Sequence, residues 1–456
     1  MKQGGMLQRP RPISNGMKLT LFQIVLLAVF GSFAVAGVLV FALAVGGNQE
    51  EASIGTVVVW GTLDKDRFDT ALDQASQIDR SLSGVTYEQK DTSLFDQELT
   101  NALAERRGPD LYIITTDQAL LHEKKVQPIP YTTISREQYQ DTFVEAANPF
   151  LGLKGIIAIP FMTDPLVLYS NRDLLAAGGY PRPPQFWDEV PEMAPRLTVR
   201  DTSGTIRISA IALGTYRNVE DAKAIVSALI MQAANLSGVV QDPITGYGTD
   251  GKLRSMIAQT FGGQRAPAVE AIRFYTEFAN PAQADYSWNG SFESARVAFT
   301  QGHAALYVGF ASEEPLIRAM NPNLNYAATS LPQLRGSARP LTFGRTYGYA
   351  IPLTSKNPQG AIMAAQLLDT ATTSAAFARH FGIASASRIA LELPVVRDQE
   401  FTNKMVLLSK NWADPDPSAT DAVFRDMIES TVSGATQLTD AVSRADQKLQ
   451  HIINAD

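Results

Sequence analysis

Residues 159–190 read IPFMTDPLVLYSNRDLLAAGGYPRPPQFWDEV. Asn171 stands where a short helix begins, and its side chain can accept the free N–H groups of the first turn. Gly178-Gly179 lets the chain leave that helix through positive φ, which other residues reach only at a cost. Pro181 and Pro183-Pro184 stiffen the corner, and Trp187 is expected to anchor the next helix by packing rather than to touch a ligand. The stretch is thus a strand end, a helix, a glycine stop and a proline corner that fixes one edge of a larger unit.

Working outward, the same alternation recurs. "IGTVVVWG" (54–61) is a continuous apolar, β-branched run, the mark of a strand buried on both faces. "DKDRFDTALDQASQIDRSL" (64–82) follows with helical spacing behind a capping Asp64. "VTYEQKD" is strand-like, "SLFDQELTNALAERR" a helix opening on Ser93, and "PDLYIITT" a second buried strand. "GIIAIPF", "PLVLYSN", "AALYVGF" and "GYAIPL" are expected as further strands. "DAKAIVSALIMQAAN", "APAVEAIRFYTEFAN", a broken helix over 357–381 and two C-terminal helices over 418–454 lie between or after them. Alternating strands and helices argue for an α/β fold with a parallel sheet and right-handed crossovers. Loops at the ends of such strands face a crevice where ligands bind. Here those loops are Trp60-Gly61-Thr62, Thr115-Thr116-Asp117, Tyr216-Arg217-Asn218 and Gly309-Phe310-Ala311.

At 456 residues the chain is long enough for two or three domains. Its net charge is −7, although Lys2, Arg9, Arg11 and Lys18 precede the first acid, so the remainder is more acidic still. That balance argues against nucleic acid, whose phosphates need clustered Lys and Arg, and leaves neutral or cationic small ligands open. With no Cys, disulfides, thiolate metal sites, a Cys nucleophile and a lipid-modified cysteine are all excluded.

Residues 19–45, LTLFQIVLLAVFGSFAVAGVLVFALAV, carry no charge and at about 1.5 Å per residue suffice to cross a hydrocarbon core of about 30 Å. The basic tail 1–18 comes before this span, and the linker 46–53 with Glu50 and Glu51 comes after it. Positive charge retained inside gives a cytoplasmic N-terminus, one membrane pass and an extracytoplasmic remainder. Ala42-Leu43-Ala44 would serve a signal peptidase, but the apolar stretch exceeds the usual ~7–15 residues of a cleaved signal. An uncut anchor is therefore expected.

Motifs for chemistry are lacking. His122, His303, His380 and His451 are scattered without metal-ligand spacing, and no G-x-S-x-G, P-loop, H-E-x-x-H or G-x-G-x-x-G occurs. Glu313-Glu314 reads as helix capping, because adjacent side chains point apart and favour the N-terminal dipole. Asp64, Asp117 and Asp164 are the acids best placed for a carboxylate pair of a glycan hydrolase.

The quoted stretch closely resembles the signature "giPy..d..vlyYNkdlf.kaG...pPkTWdE" of family 1 extracellular solute-binding proteins of ABC importers, the maltose-binding-like class. "LFDQELTNALAERRGPDLYII", "SARVAFTQGHAALYVG" and "YGYAIPLTSKNPQGAIMAAQLL" resemble further segments of that family in the same order, so the likeness spans roughly 54–453. It implies a two-lobed type II periplasmic-binding-protein fold that closes on its ligand by a hinge. Lobe 1 would be 54–161 plus 348–398 and lobe 2 165–343 plus 402–453. Hinges would fall at Thr163-Asp164 and Arg345-Thr346-Tyr347, with a third crossing near residue 400. It further implies a sugar or oligosaccharide ligand, ABC permease subunits as partners, no cofactor, no metal and no catalysis. A ligand-sensing surface receptor and an exported glycan hydrolase are the alternatives. Family members are commonly held by a lipid on Cys or released by cleavage, so the uncut helix is a departure.

A sugar site needs aromatic faces for the ring and planar polar groups for its hydroxyls. Trp60, Tyr216, Trp288 and Phe310 are the expected aromatics. Asp64, Thr116, Asp117, Asp164, Asn218 and Arg345 are the expected polar partners, with Tyr347 beside them at the hinge. Trp412 in "NWADPDP" joins them by its match to the family's last cleft loop. Each has a structural alternative: strand-end core for Trp60 and Phe310, backbone bracing for Arg345 and Tyr347, capping or solvation for the acids.

Overall fold

The computed structural model describes residues 54–455 apart from 237–241, 261–264, 338 and 395–396. The tail 1–18, the span 19–45 and the linker 46–53 lie outside the described residues. Among the described residues no helix is long and apolar enough to cross a membrane.

The strands are β1 (Val57–Gly61), β2 (Val85–Gln89), β3 (Leu111–Thr115), β4 (Ile159–Asn171), β5 (Val199–Arg200) and β6 (Ile206–Ile211). After them come β7 (Thr245–Tyr247), β8 (Leu253–Ser255), β9 (Ala304–Phe310), β10 (Tyr326–Thr329), β11 (Thr342–Ala350), β12 (Ala384–Ser385) and β13 (Ser409–Lys410). Among the described residues eleven of these form one sheet with the path β2-β1-β3-β11-β4-β9-β6-β5, while β7 and β8 pair as a hairpin.

The wholly parallel sheet expected from the sequence is replaced by a mixed one. β1 is parallel to β2 and β3, and β6 to β9, but β11 runs antiparallel to β3 and β4. The cause lies in two hydrophobic cores. One is built from residues 54–162 and 349–386 with Val406, the other from residues 166–343 and 405–449. β4 carries the chain from the first core to the second and β11 carries it back, so they must run in opposite directions. The molecule is a two-lobed α/β protein.

"GIIAIPF" and "PLVLYSN", read as separate strands, belong to the single strand β4, all thirteen residues of which are buried. Pro160 and Pro165 cannot donate to a ladder, and they stand opposite Gly348 and Gly344 of β11. A side chain at Gly344 would come within 2.6 Å of Ser409, and one at Gly348 within 2.9 Å of Phe150. The glycines thus leave room for Ser409 and Phe150 to pack closely against β11. The two expected hinges are register partners: Thr163 faces Thr346 and Asp164 faces Arg345, and the Thr163 and Thr346 hydroxyls lie 2.9 Å apart.

The opening stretch folds as its residues dictate. Asn171 Oδ1 accepts from the backbone N–H groups of Asp173 and Leu174 at 3.0 and 3.1 Å, and Gly179 has φ of 83°. Trp187 is 1% exposed. Its indole N–H donates to Gln232 Oε1 at 2.7 Å and its ring meets Phe274 edge-on at 5.3 Å. Burial of such a side chain is worth roughly 3 kcal/mol, enough to fix the corner against the helix Ala222–Leu236.

Candidate ligand-binding cleft

Where β4 and β11 cross, the ends of several elements converge. Thr116 and Asp117 leave β3, Arg345 projects from β11, and the segment after β13 brings Asn411 and Trp412. The first turn of the helix Ala222–Leu236 brings Lys223 from the second lobe. All of these but the buried Thr116 border a cavity of about 350 Å³ whose lining also includes Asp221, Phe343 and Asp414. The first lobe reaches it through Asp117, and the second supplies most of the wall.

The polar groups interlock. Arg345 Nε donates to Asp117 Oδ2 at 3.0 Å, and its guanidinium lies 4.4 Å over the Phe310 ring. Asn411 Nδ2 donates to Thr116 Oγ1 at 2.7 Å, to Asp117 Oδ1 at 3.2 Å and to the Gly344 carbonyl at 2.9 Å. The backbone N–H of Thr346 also donates to Thr116 Oγ1, at 3.1 Å. One asparagine thereby ties the first lobe to the crossing strand. On the far wall Lys223 Nζ donates to Asp414 Oδ2, to Thr420 Oγ1 at 2.7 Å and to the Pro417 carbonyl at 3.1 Å. Trp412 Nε1 donates to Ser227 Oγ at 3.1 Å, and Lys223 Nζ is 5.5 Å from the Trp412 ring centre.

Burial and charge set different protonation states on neighbouring acids. Burial raises Asp117, but the charges of Arg345 and Lys223 and the Asn411 hydrogen bond outweigh it, and its carboxyl stays below the ordinary range. Asp164 is pushed up to about 7 by burial, against the hydrogen bond from Ser312 and the charge of Arg345. Asp414 is pushed up to about 6 by burial, despite Lys223. Asp221 is raised well above the carboxylate range by burial and then by the charge and hydrogen bond of Glu313. Asp117 is thus held ionised at the wall, where it can accept from hydroxyl groups, while the raised Asp221 carboxyl is turned to Glu313.

Of the residues expected from sequence, the structure gathers Thr116, Asp117, Asp164, Phe310, Arg345, Tyr347 and Trp412 at the crossing. Tyr216 adjoins the cavity by donating its hydroxyl to Asp421, a lining residue. Asn218 and Trp288 are brought together elsewhere. Trp288 is fully buried, stacked on Phe292 at 4.5 Å, with its indole N–H on Thr215 Oγ1 at 2.9 Å. Asn218 Nδ2 serves the carbonyls of Asn289 and Phe292, so the pair braces the 286–292 loop with its polar atoms already matched. Trp60 is half-buried at the end of β1 with Lys90 Nζ 3.7 Å over its ring. Asp64 caps the helix Lys65–Ile78 through the N–H of Arg67 at 3.0 Å. Glu313 caps as expected, accepting from Phe310 N at 2.9 Å, and also turns inward to Tyr307 and Arg296.

Sequence reasoning missed Asp221, Lys223, Phe343, Asn411 and Asp414. A signal existed for Lys223, whose helix follows the strand-end loop Tyr216–Asn218 and so begins at the crevice. Asn411 and Asp414 flank a tryptophan that had been singled out.

A family profile for bacterial extracellular solute-binding proteins matches residues 84–376, more than half of the chain. The chain belongs to this family. Solved structures align over most of this solute-binding protein. The cyclic α-maltosyl-1,6-maltose binding protein of Arthrobacter globiformis aligns with TM-score 0.69 and 15% identity, over 88% of this chain and 99% of that one. The GacH receptor of Streptomyces glaucescens, solved unliganded and with acarbose, gives TM-score 0.65 and 14% identity over 88% and 98%. An ABC transporter solute-binding protein of Thermotoga lettingae bound with α-D-tagatose gives 0.63 and 17% over 88% and 100%. At these identities the likeness speaks for the shared fold. No curated protein matches the chain in sequence.

Proposed function

We propose that this solute-binding protein captures a sugar or oligosaccharide in the cavity at the crossing strands and delivers it to an ABC permease, performing no chemistry on it. The reading is carried by one arrangement: Asp117 from one lobe and Lys223, Trp412 and Asp414 from the other meet around a cavity of about 350 Å³ at the hinge residue Arg345. A ligand held there stabilises the closed arrangement by touching both lobes at once. The sugars named for the structural neighbours support a carbohydrate, and so does an aromatic wall beside paired polar groups. The lobes are 54–161 plus 348–398 and 165–343 plus 402–453, the cores meeting at Thr163-Asp164 and Arg345-Tyr347. Thr116, Asp117, Asp164, Tyr216, Phe310, Arg345, Tyr347 and Trp412 form or support the site. Trp60 and Asp64 stand at its first-lobe margin, and Asn218 with Trp288 supports the loop behind Tyr216.

Residues 19–45 hold the binding domain at the outer membrane face with the N-terminus inside. Tethering keeps it close to its permease and raises its effective concentration there. Intrinsic tryptophan fluorescence titrated with glucose, maltose, maltotriose, cellobiose and tagatose tests the reading, because Trp412 borders the cavity. A saturable change with at least one sugar, and recovery of that sugar unaltered, is expected. Turnover of the sugar would contradict it.

A further inference from the structure

A second cavity, of about 220 Å³, adjoins the first. Asn411 lines both, with its side chain tied at the crossing to Thr116, Asp117 and the Gly344 carbonyl. The two linings continue one another along the same elements. Ala224 and Ser227 border the first cavity, Met231 and Ala234 the second. Their spacing of three, four and three residues places all four on one face of the helix Ala222–Leu236. Arg345 and Phe343 border the first cavity and Leu341, at the foot of β11, the second. Residues two apart share one face of a strand.

The distances along helix and strand agree. Lys223 to Met231 is eight residues, about 12 Å of helix. Arg345 to Leu341 is four residues, about 13 Å of strand. The cavities are thus successive parts of one trough, the second lying about 12–13 Å from the Arg345–Lys223 end of the first. Both lobes wall it throughout: Asp117 faces the second lobe at the first cavity, and Glu145 with Asn148 face it at the second. Lys410 Nζ lies 3.0 Å from Glu145 Oε2, joining the first lobe to the crossing segment there. Apolar Met231 and Leu341 stand beside polar Asn148 and Asp242, the mixture that a sugar ring and its hydroxyls require. The side-chain amide of the half-buried Asn148 has no hydrogen-bond partner among the described residues.

Resting on the solute-binding reading above, we propose that the ligand is an oligosaccharide of three or more units, laid along the trough with one unit beside Arg345, Asp117 and Trp412 and a later unit in the second cavity against Asn148. A single pyranose ring covers less than half of the distance between the two ends, so a monosaccharide fills one cavity only. Each further unit that enters brings apolar area and hydroxyl groups to wall that a shorter sugar leaves bare. Affinity therefore rises with chain length until the second cavity is full.

Two series test this by calorimetry on the full-length chain in detergent: glucose to maltotetraose, and glucose to cellotetraose. In at least one series the tetrasaccharide is expected to bind at least about tenfold tighter than the disaccharide. A chain that only slid through the first cavity would gain no more than the extra registers its added units supply, a smaller factor. Asn148→Trp, which fills the second cavity from the first lobe, should cut the gain below about threefold. If that variant fails to fold, Asn148→Ala, which removes the amide and adds no bulk, should at least halve the gain. A gain below tenfold in both series, with glucose, maltose, cellobiose or tagatose still binding, overturns the proposal and leaves the solute-binding reading standing. A folded Asn148→Trp that keeps more than threefold, or an Asn148→Ala that keeps the whole gain in its place, also overturns it. If no sugar of either series binds and tagatose does not, the carbohydrate reading itself fails and the proposal with it.

Discussion

Replacing Arg345 with Met removes the guanidinium but keeps a side chain of similar length, leaving Asp117 beside the cavity without its paired charge. Two contacts disappear: the Nε hydrogen bond to Asp117 at 3.0 Å and the cation over the Phe310 ring at 4.4 Å. Breaking one side of a fully buried pair costs roughly 3–5 kcal/mol. Here Arg345 is 31% and Asp117 19% exposed, and water reaching both lowers the expected loss to about 2–3 kcal/mol. Urea unfolding at about pH 7.5 measures it.

The sign of the pH dependence adds a stricter condition. In the native chain Asp117 is held below its ordinary value. Its contribution is present above the unfolded-state value near 4 and fades as pH falls through the lower folded value. In the variant, burial acts with less opposition and raises Asp117, so that chain gains stability relative to the native one as pH falls. The difference between the two should be largest near pH 7–8 and shrink by half or more near pH 4. In a double-mutant cycle with Asp117→Asn, the combined variant should recover about 1.5 kcal/mol or more of the summed losses. A loss below about 0.5 kcal/mol, or one that does not change with pH, would refute the claim that this ion pair organises the crossing.

Gln232→Leu should destabilise by about 2–4 kcal/mol. It strands the Trp187 indole N–H together with the Pro332 carbonyl, both at buried positions, while the Leu341 carbonyl keeps Gln333 Nε2 at 3.0 Å, and a thermal melt reads the loss. Asp164 has a folded value near 7, well above its unfolded value. The native state therefore holds the extra proton between about pH 4 and 7, and stability falls as pH rises through that window. Asp164→Asn should abolish about 2–4 kcal/mol of that fall, and parallel slopes for both chains would contradict the assignment. Trp412→Phe should lose about 1 kcal/mol with its hydrogen bond to Ser227 and remove most of the ligand-dependent fluorescence change.

The sequence made the frame legible where local rules act alone. Asn171, Gly179 and Trp187 each behave as their chemistry requires, and the expected hinges pair residue for residue as Thr163 with Thr346 and Asp164 with Arg345. It misled where distant partners decide. The parallel sheet became mixed because β4 and β11 cross between lobes in opposite directions, which no local pattern records. Trp288 and Asn218 resembled cleft residues in a polar loop, yet Thr215 and the Asn289 and Phe292 carbonyls take up their polar atoms. Asp221 and Asp414 were invisible because their unusual protonation comes from burial, which Glu313, 92 positions along the chain, reinforces for Asp221 and Lys223, 191 positions away, only partly offsets for Asp414.

The most direct measurement of the central claim is single-molecule energy transfer between the lobes. The chain has no native Cys, so cysteines placed at exposed Asp66 and Asn323 label one lobe each. Titrating the sugar that changes the tryptophan fluorescence should shift the interlobe distance to a second, discrete value. That shift should saturate with occupancy and reverse on dilution, with the sugar recovered intact. A distance that stays fixed while the sugar binds, or a sugar returned as product, would contradict the account.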